Sequence, residues 1–207
     1  MSPRQDPPRP AHALPDPPGR PADDVLAAGL ERYRDLVTRW APALDLVSGA
    51  SGGADLGRLL TESLAALPHL PPAGTLLDVG SGVGIPVVPL LLARPDLPAV
   101  LLEPRERRWA FLREVIRDLG LPAEVLRQRL QDQGDQQYSA ITVRGVGPRA
   151  WQRNAASHLT ATGRVLWWTA AEKARLFAAA SPGGRVLTFP LPDPARVTLV
   201  VWHPRST

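Results

Sequence analysis

The run Thr75 to Pro89, TLLDVGSGVGIPVVP, limits what this chain can fold into more than any other stretch. Residues Thr75 to Val79 read as a short apolar strand, glycines follow at 80, 82 and 84, and an apolar helix is expected from about Val83. A tight strand-to-helix turn needs backbone without Cβ atoms, because the helix and any ligand approach the main chain closely. The first amides of the helix then point at whatever lies over the strand end.

The glycine spacing separates cofactor classes. A dinucleotide turn reads G-x-G-x-x-G, with its third glycine at the helix–strand contact; that position here is Ile85. The chain carries instead Asp78-x-Gly80-x-Gly82-x-Gly84. This pattern resembles motif I of Rossmann-like S-adenosyl-L-methionine (AdoMet) methyltransferases, which bind a nucleoside sulfonium without a pyrophosphate. The alternative is a glycine-rich turn in some other α/β domain.

Around that turn the elements alternate, as in a parallel α/β sheet. Met1 to about Ala22 is crowded with prolines and poor in large apolar residues, so residues 1–22 are expected to be a loose tail. From Asp23 the residues Val25, Leu26, Leu30, Tyr33, Leu36, Val37 and Trp40 recur at helical steps. Pro42 is expected to end that helix, and a second runs from Asp55 to Leu67, giving an N-terminal helical cap over 23–70. The core, 71–207, then continues with strand Ala99 to Glu103, helix Arg105 to Leu119 closed by Gly120, and strands near Glu124 to Arg127 and Ala140 to Arg144. Helix Pro148 to Leu159, strand Arg164 to Thr169, helix Ala171 to Ala180 and a closing hairpin of Arg185 to Phe189 with Arg196 to Trp202 complete it. The fold class expected is α/β: a Rossmann-like AdoMet-dependent methyltransferase, its seven-stranded sheet mostly parallel, with the helical cap at its N-terminus. An acid closing the second strand, Glu103, stands where a carboxylate would accept hydrogen bonds from ribose hydroxyls; the other reading is that it caps the following helix.

Composition adds exclusions. The 207 residues include no cysteine, which rules out disulfides, thiolate metal sites and cysteine nucleophiles and agrees with a reducing, cytoplasmic setting. Of 24 cationic side chains only Lys173 is a lysine. Arginine's planar fork suits phosphates and base edges, although GC-rich codon usage enriches the same residue. No apolar run approaches the ~20 residues of a membrane span, and the N-terminus has no apolar signal core. His12, His69, His158 and His203 are too scattered for a metal site, and none is expected.

A closer resemblance lies in LLDVGSGVGIP, LLEPRERRWAFL, RQRLQ and VRG. These runs are similar to the glucose-inhibited division protein B family, bacterial methyltransferases of small-subunit ribosomal RNA. Members read DxGxGxGFPG at the turn, E-S-x-x-K-K-x-x-F-L after the second strand, R-x-E after the third and S-R-A at the fourth. Tyr33, Trp40 and Leu46 fall on the family's Y, W-N and N-L-T signals in the cap. The likeness spans about Leu30 to Ile141 well and the rest loosely. It implies methyl transfer from AdoMet to guanine-N(7), with ribosomal RNA or the small ribosomal subunit as partner, no membrane, and a monomeric protein.

By position, the resemblance assigns Asp78, Gly80, Ser81, Gly82, Gly84, Ile85 and Glu103 to the cofactor turn and its sugar. Leu130 and Gln131 match the pair along the adenosine, Arg144 the arginine near the cofactor's carboxylate end, and Arg107 and Arg108 a basic pair for RNA phosphate or else a solvated helix face. Several positions depart from the pattern. The family's H-x-x-D-S-L is Leu59-Leu60-Thr61-Glu62-Ser63-Leu64, the R-x-E acid is Gln131, and the alanine after the strand-four arginine is Gly145. The usual lysine after strand five is absent, with Trp167, Trp168 and Thr169 in its place. Those tryptophans could stack a flipped base or face the core. The chemistry itself asks little of side chains: N(7) carries no proton, so no general base is needed and rate comes from alignment. Glu62 is the one candidate for a carboxylate beside the base, against the reading that it is a cap-helix acid.

Overall fold

A computed structural model describes residues 19–44, 53–180, 184–191 and 197–204. Most of the proline-rich tail and Leu46 of the cap lie outside the described residues. Helices α1 (Asp23–Leu44) and α2 (Gly53–Leu64) precede the sheet. Strands β1 (Leu76–Val79), β2 (Ala99–Leu102) and β3 (Ala123–Leu126) alternate with α3 (Val87–Ala93) and α4 (Glu106–Leu119). Strand β4 (Tyr138–Arg144), the short helix α5 (Gln152–Ala155), β5 (Leu159–Ala170), α6 (Ala171–Ala180), β6 (Arg185–Pro190) and β7 (Val197–His203) follow.

The seven strands form one sheet in the order β3-β2-β1-β4-β5-β7-β6. All neighbours run parallel except β7, which pairs antiparallel with both β5 and β6. The expected mixed sheet ending in a hairpin is therefore present. Successive side chains of a strand go to opposite faces, and both faces are covered. Leu76, Ala140, Leu166, Trp168, Leu199 and Val201 share one core with Tyr33, Leu36, Val37, Leu56 and Leu60 of the first two helices and with residues of α3 and α4. Leu77, Val79, Ile141, Val143, Val165, Trp167 and Val200 pack on the other face with Trp151, Phe177 and Trp202. Both strand-five tryptophans are thus core residues. Trp167 lies edge-on to Trp151 at 5.5 Å and to Phe177 at 5.3 Å, so neither base stacking nor a lysine-like role fits it.

Several boundaries differ from the sequence expectation. The helix after the glycine turn starts at Val87 rather than Val83. Gly82 and Gly84 take φ of 59° and 96°, left-handed values that a right-handed helix cannot contain. Helix α1 runs past Pro42 to Leu44, losing one hydrogen bond near its end without stopping there. Helix α2 ends at Leu64, and Leu67–His69 form a separate 3-10 turn. The helix expected over Pro148 to Leu159 is broken into Pro148–Ala150, α5 and Ala156–His158, because Trp151 leaves helical geometry to bury its ring among the aromatics. Strand β5 consequently starts earlier than expected, at Leu159, paired with Tyr138 ahead of a bulge.

Candidate cofactor site

Strand order reverses between β1 and β4, the place where open α/β sheets receive ligands beyond the strand ends. A cleft of about 400 Å³ opens there. Its floor is the glycine turn, Gly80 to Val83 with Ile85; Glu103, Pro104, Arg105 and Arg108 form one wall, and Arg144, Gly145 and Val146 the other.

The turn is held by its own backbone and by one carboxylate. The amides of Gly80 and Ser81 donate to Leu102 O at 2.9 and 3.0 Å, and Gly84 N donates to Ser81 O at 2.7 Å. Buried Glu103 accepts from Gly82 N through Oε2 and from Arg105 N through Oε1, each at 2.9 Å. The two readings of Glu103 are therefore not exclusive: it does hold the N-terminus of α4, and it also ties the end of β2 to the turn. A carboxylate accepts up to about four hydrogen bonds, so two further lone-pair directions remain at the cleft wall. From the cap, the Tyr33 hydroxyl donates to Val83 O at 2.7 Å and so fixes the turn from below.

The three glycines are small for different reasons. A Cβ on Gly84 would lie 2.6 Å from Val88 Cγ2, and one on Gly80 2.7 Å from Val146 Cγ2. A Cβ on Gly82 would meet nothing nearer than Gly80 O at 3.8 Å. Gly84 and Gly80 are required by packing, whereas Gly82 leaves open the floor of a cradle.

Beneath the turn Asp78 is buried, with Oδ1 accepting from Thr142 Oγ1 at 2.6 Å and Oδ2 without a partner among the described residues. Burial pushes its carboxyl up to about 6; the hydrogen bond from Thr142 and the dipole of the Ser81 hydroxyl close by oppose the shift, and the nearby Glu103 charge adds to it. Burial also raises the Tyr33 phenol, helped by the Asp78 charge, so it stays a neutral donor.

Gly80, Ser81, Gly82, Ile85, Glu103, Arg108 and Arg144 thus converge on the cleft, Arg108 from the pair expected to meet RNA phosphate. Asp78 and Gly84 support it from inside. Leu130 and Gln131 do not reach it: Leu130 is buried in the core of the opposite sheet face, and Gln131 is exposed on the 3-10 turn 130–132. Arg107 is exposed on α4, outside the lining. Glu62 lies behind the wall, its carboxylate paired with Arg144 and, at 2.9 Å, with Arg58, so it is not a free acid beside a substrate. Tyr33 and Arg105 are functional candidates that sequence reasoning passed over. Tyr33 was legible as a core position of α1 and as the family's Y signal, without a role at the turn; Arg105 lay in the same basic run as Arg107 and Arg108. Leu59, which stands where the family pattern has histidine, also lines the cleft. Among the described residues no cluster of acids and histidines could hold a metal ion.

The sheet order and the cleft define a Rossmann-like methyltransferase fold. A methyltransferase from Pyrococcus furiosus superposes with a TM-score of 0.61 over 87% of this chain and 98% of its own, at 11% identity. The apo S-adenosylmethionine-dependent methyltransferase SibL gives a TM-score of 0.61 over 86% of this chain and 70% of its own, at 17% identity. Residues 27–177 match the family model of rRNA small subunit methyltransferase G, GidB, and the chain belongs to that family. The ribosomal RNA small subunit methyltransferase G of Chromobacterium violaceum is 37% identical over 117 residues, 56% of this chain and 56% of that protein. Its counterpart in Mycobacterium leprae is 41% identical over 102 residues, 49% of this chain and 42% of that protein. The chain thus aligns with about half the length of these curated relatives.

Proposed function

We infer that the chain transfers a methyl group from AdoMet to N(7) of a guanine in small-subunit ribosomal RNA. The observation that carries this reading is the cradle at the switch point: an open Gly82 whose amide rests on the Glu103 carboxylate at 2.9 Å. The names of the relatives and the family model support the RNA substrate.

The residues present fit the cofactor. Gly82 offers backbone a nucleoside can approach, Glu103 has lone pairs for ribose hydroxyls, and Arg144 lines the cleft with a guanidinium suited to a carboxylate. Bound there, the sulfonium supplies an electrophilic methyl group. The chain's own work is then to align and to exclude water, since the accepting nitrogen has no proton to lose. Arg105 and Arg108 at the mouth suit RNA phosphates, with exposed Arg107 beside them on α4. Asp78 acts through the turn it supports. A single chain at work in the cytoplasm, with the cap of 23–70 set over the core of 71–207, completes the reading. It accords with the finding that no helix among the described residues is long and apolar enough to cross a membrane.

A second reading is a binding protein that keeps the cofactor cleft without catalysis, favoured by Leu59 on the cleft wall where the family pattern has histidine. One experiment separates the two. The purified chain is incubated with AdoMet and small-subunit RNA from a strain lacking it, and the digested RNA is analysed by mass spectrometry. A guanine converted to 7-methylguanosine supports the enzyme; unchanged RNA with AdoMet binding intact supports the second reading.

A further inference from the structure

Glu62 sits near the C-terminal end of α2, on the sheet face where β4 ends, and the chain has built an unusual set of contacts around it. One carboxylate oxygen accepts from Arg144 Nη2, the other from Arg58 Nη1 at 2.9 Å, and its backbone carbonyl accepts Trp168 Nε1 at 2.9 Å. Its side chain is only 3% exposed, against 16% for Arg144 and 33% for Arg58. Burying a carboxylate and a guanidinium together is weak evidence for stability, because desolvation offsets most of their attraction. Such a pair calls for another explanation.

Arg144 supplies it. Glu62 engages Nη2, while Nη1 is buried and has no partner among the described residues, on a side chain that lines the cleft. An unsatisfied buried donor on a charged group lowers stability, so this pair is held at a cost, and its arginine stands on the wall of the cleft. A planar guanidinium anchored on one side presents its remaining N–H groups in a fixed direction, which suits a second carboxylate.

We propose that Glu62 is a positioning residue: by holding Nη2 of Arg144 it fixes the plane of that guanidinium on the cleft wall for the carboxylate of the methyl donor's amino-acid half, and it touches neither the substrate nor the reacting atoms. The proposal rests on the AdoMet reading above. It also gives the N-terminal helices a part in the site, because the acid comes from α2 and the arginine from the end of β4, 82 residues apart in sequence.

The test is calorimetric titration of the full chain with two nucleosides. S-adenosyl-L-homocysteine carries the amino-acid carboxylate; 5′-methylthioadenosine keeps the nucleoside and sulfur and lacks it. Glu62→Gln and Arg144→Met are each expected to weaken the first ligand about ten- to hundredfold and to leave the second within about twofold. The double variant is expected to be no weaker than Arg144→Met alone. Equal losses for both ligands, no loss in Glu62→Gln, or additive losses in the double variant would overturn the assignment. If Glu62→Gln does not fold, Glu62→Asp replaces it. That variant keeps the buried charge but draws the carboxylate back from Arg144, and absence of any selective loss there overturns the assignment equally. A wild-type chain that binds neither nucleoside sinks the cofactor reading itself, whereas one that binds both, with Glu62→Gln losing both alike, sinks only the role of Glu62.

Discussion

Asp78→Asn should make the stability of this protein less dependent on pH. The Asp78 carboxyl is displaced upward to about 6, chiefly by burial, from about 3.9 in an unfolded chain. A carboxyl raised by folding binds its proton more tightly in the native state. Stability therefore falls as pH rises through the interval between the two values, and levels off above the native one. From pH 4.5 to 8 this one group should remove about 2 kcal/mol. Asparagine has no charge to lose. Its amide would still leave one buried atom facing the place where Asp78 Oδ2 has no partner among the described residues, but that cost of about 1–3 kcal/mol is the same at every pH. The quantity to measure is the difference in urea unfolding free energy between variant and wild type, at several pH values in one buffer series. It should shift in favour of Asp78→Asn by about 2 kcal/mol on going from pH 4.5 to 8. Two stability curves that stay parallel across that range would refute the assignment of a raised, buried carboxyl.

Other substitutions separate holding the turn from holding the ligand. Gly82→Trp should leave the fold intact apart from about 1–2 kcal/mol of left-handed strain and abolish AdoMet binding, read by circular dichroism and calorimetry. Gly84→Ala should instead lower unfolding stability by about 2–4 kcal/mol, since its Cβ would press on Val88 Cγ2 from 2.6 Å at a φ of 96°. Glu103→Ala removes the acceptor of two backbone amides; calorimetry should show cofactor affinity weaker by about 1–3 kcal/mol, and urea unfolding a stability loss of similar size. Tyr33→Phe, which strips a 2.7 Å hydrogen bond from Val83 O, should cost about 1–2 kcal/mol in urea unfolding.

The glycine turn and the alternating elements were legible because they depend on local rules: backbone without Cβ, apolar runs of strand length, turns marked by glycine and proline. Glu103 was legible as an acid at a strand end that could hold the following helix, but only the fold shows that Gly82 N and Arg105 N share it. Leu130 and Gln131 stand apart from the lining that most of the other matched residues share. A match four or five residues past β3 says nothing of which sheet face the chain has crossed to, and Leu130 lies in the core opposite the cap. Arg58, four residues before Glu62, follows the helical period, but the other partners of Glu62, Arg144 and Trp168, are 82 and 106 residues away. No helical or strand period encodes such a contact. The broken helix around Trp151 escaped for a similar reason, since its cause is an aromatic cluster assembled from three distant elements.

The central claim is that the floor between Gly80 and Gly84 takes a sulfur-bearing nucleoside with its sugar on Glu103. Crystals of the chain grown with S-adenosyl-L-homocysteine measure this directly. The account predicts density for the nucleoside over Gly82, with ribose oxygens within about 3 Å of the Glu103 carboxylate. Density for that ligand anywhere else, or a saturating soak that leaves the turn bare while the protein stays folded, would contradict it.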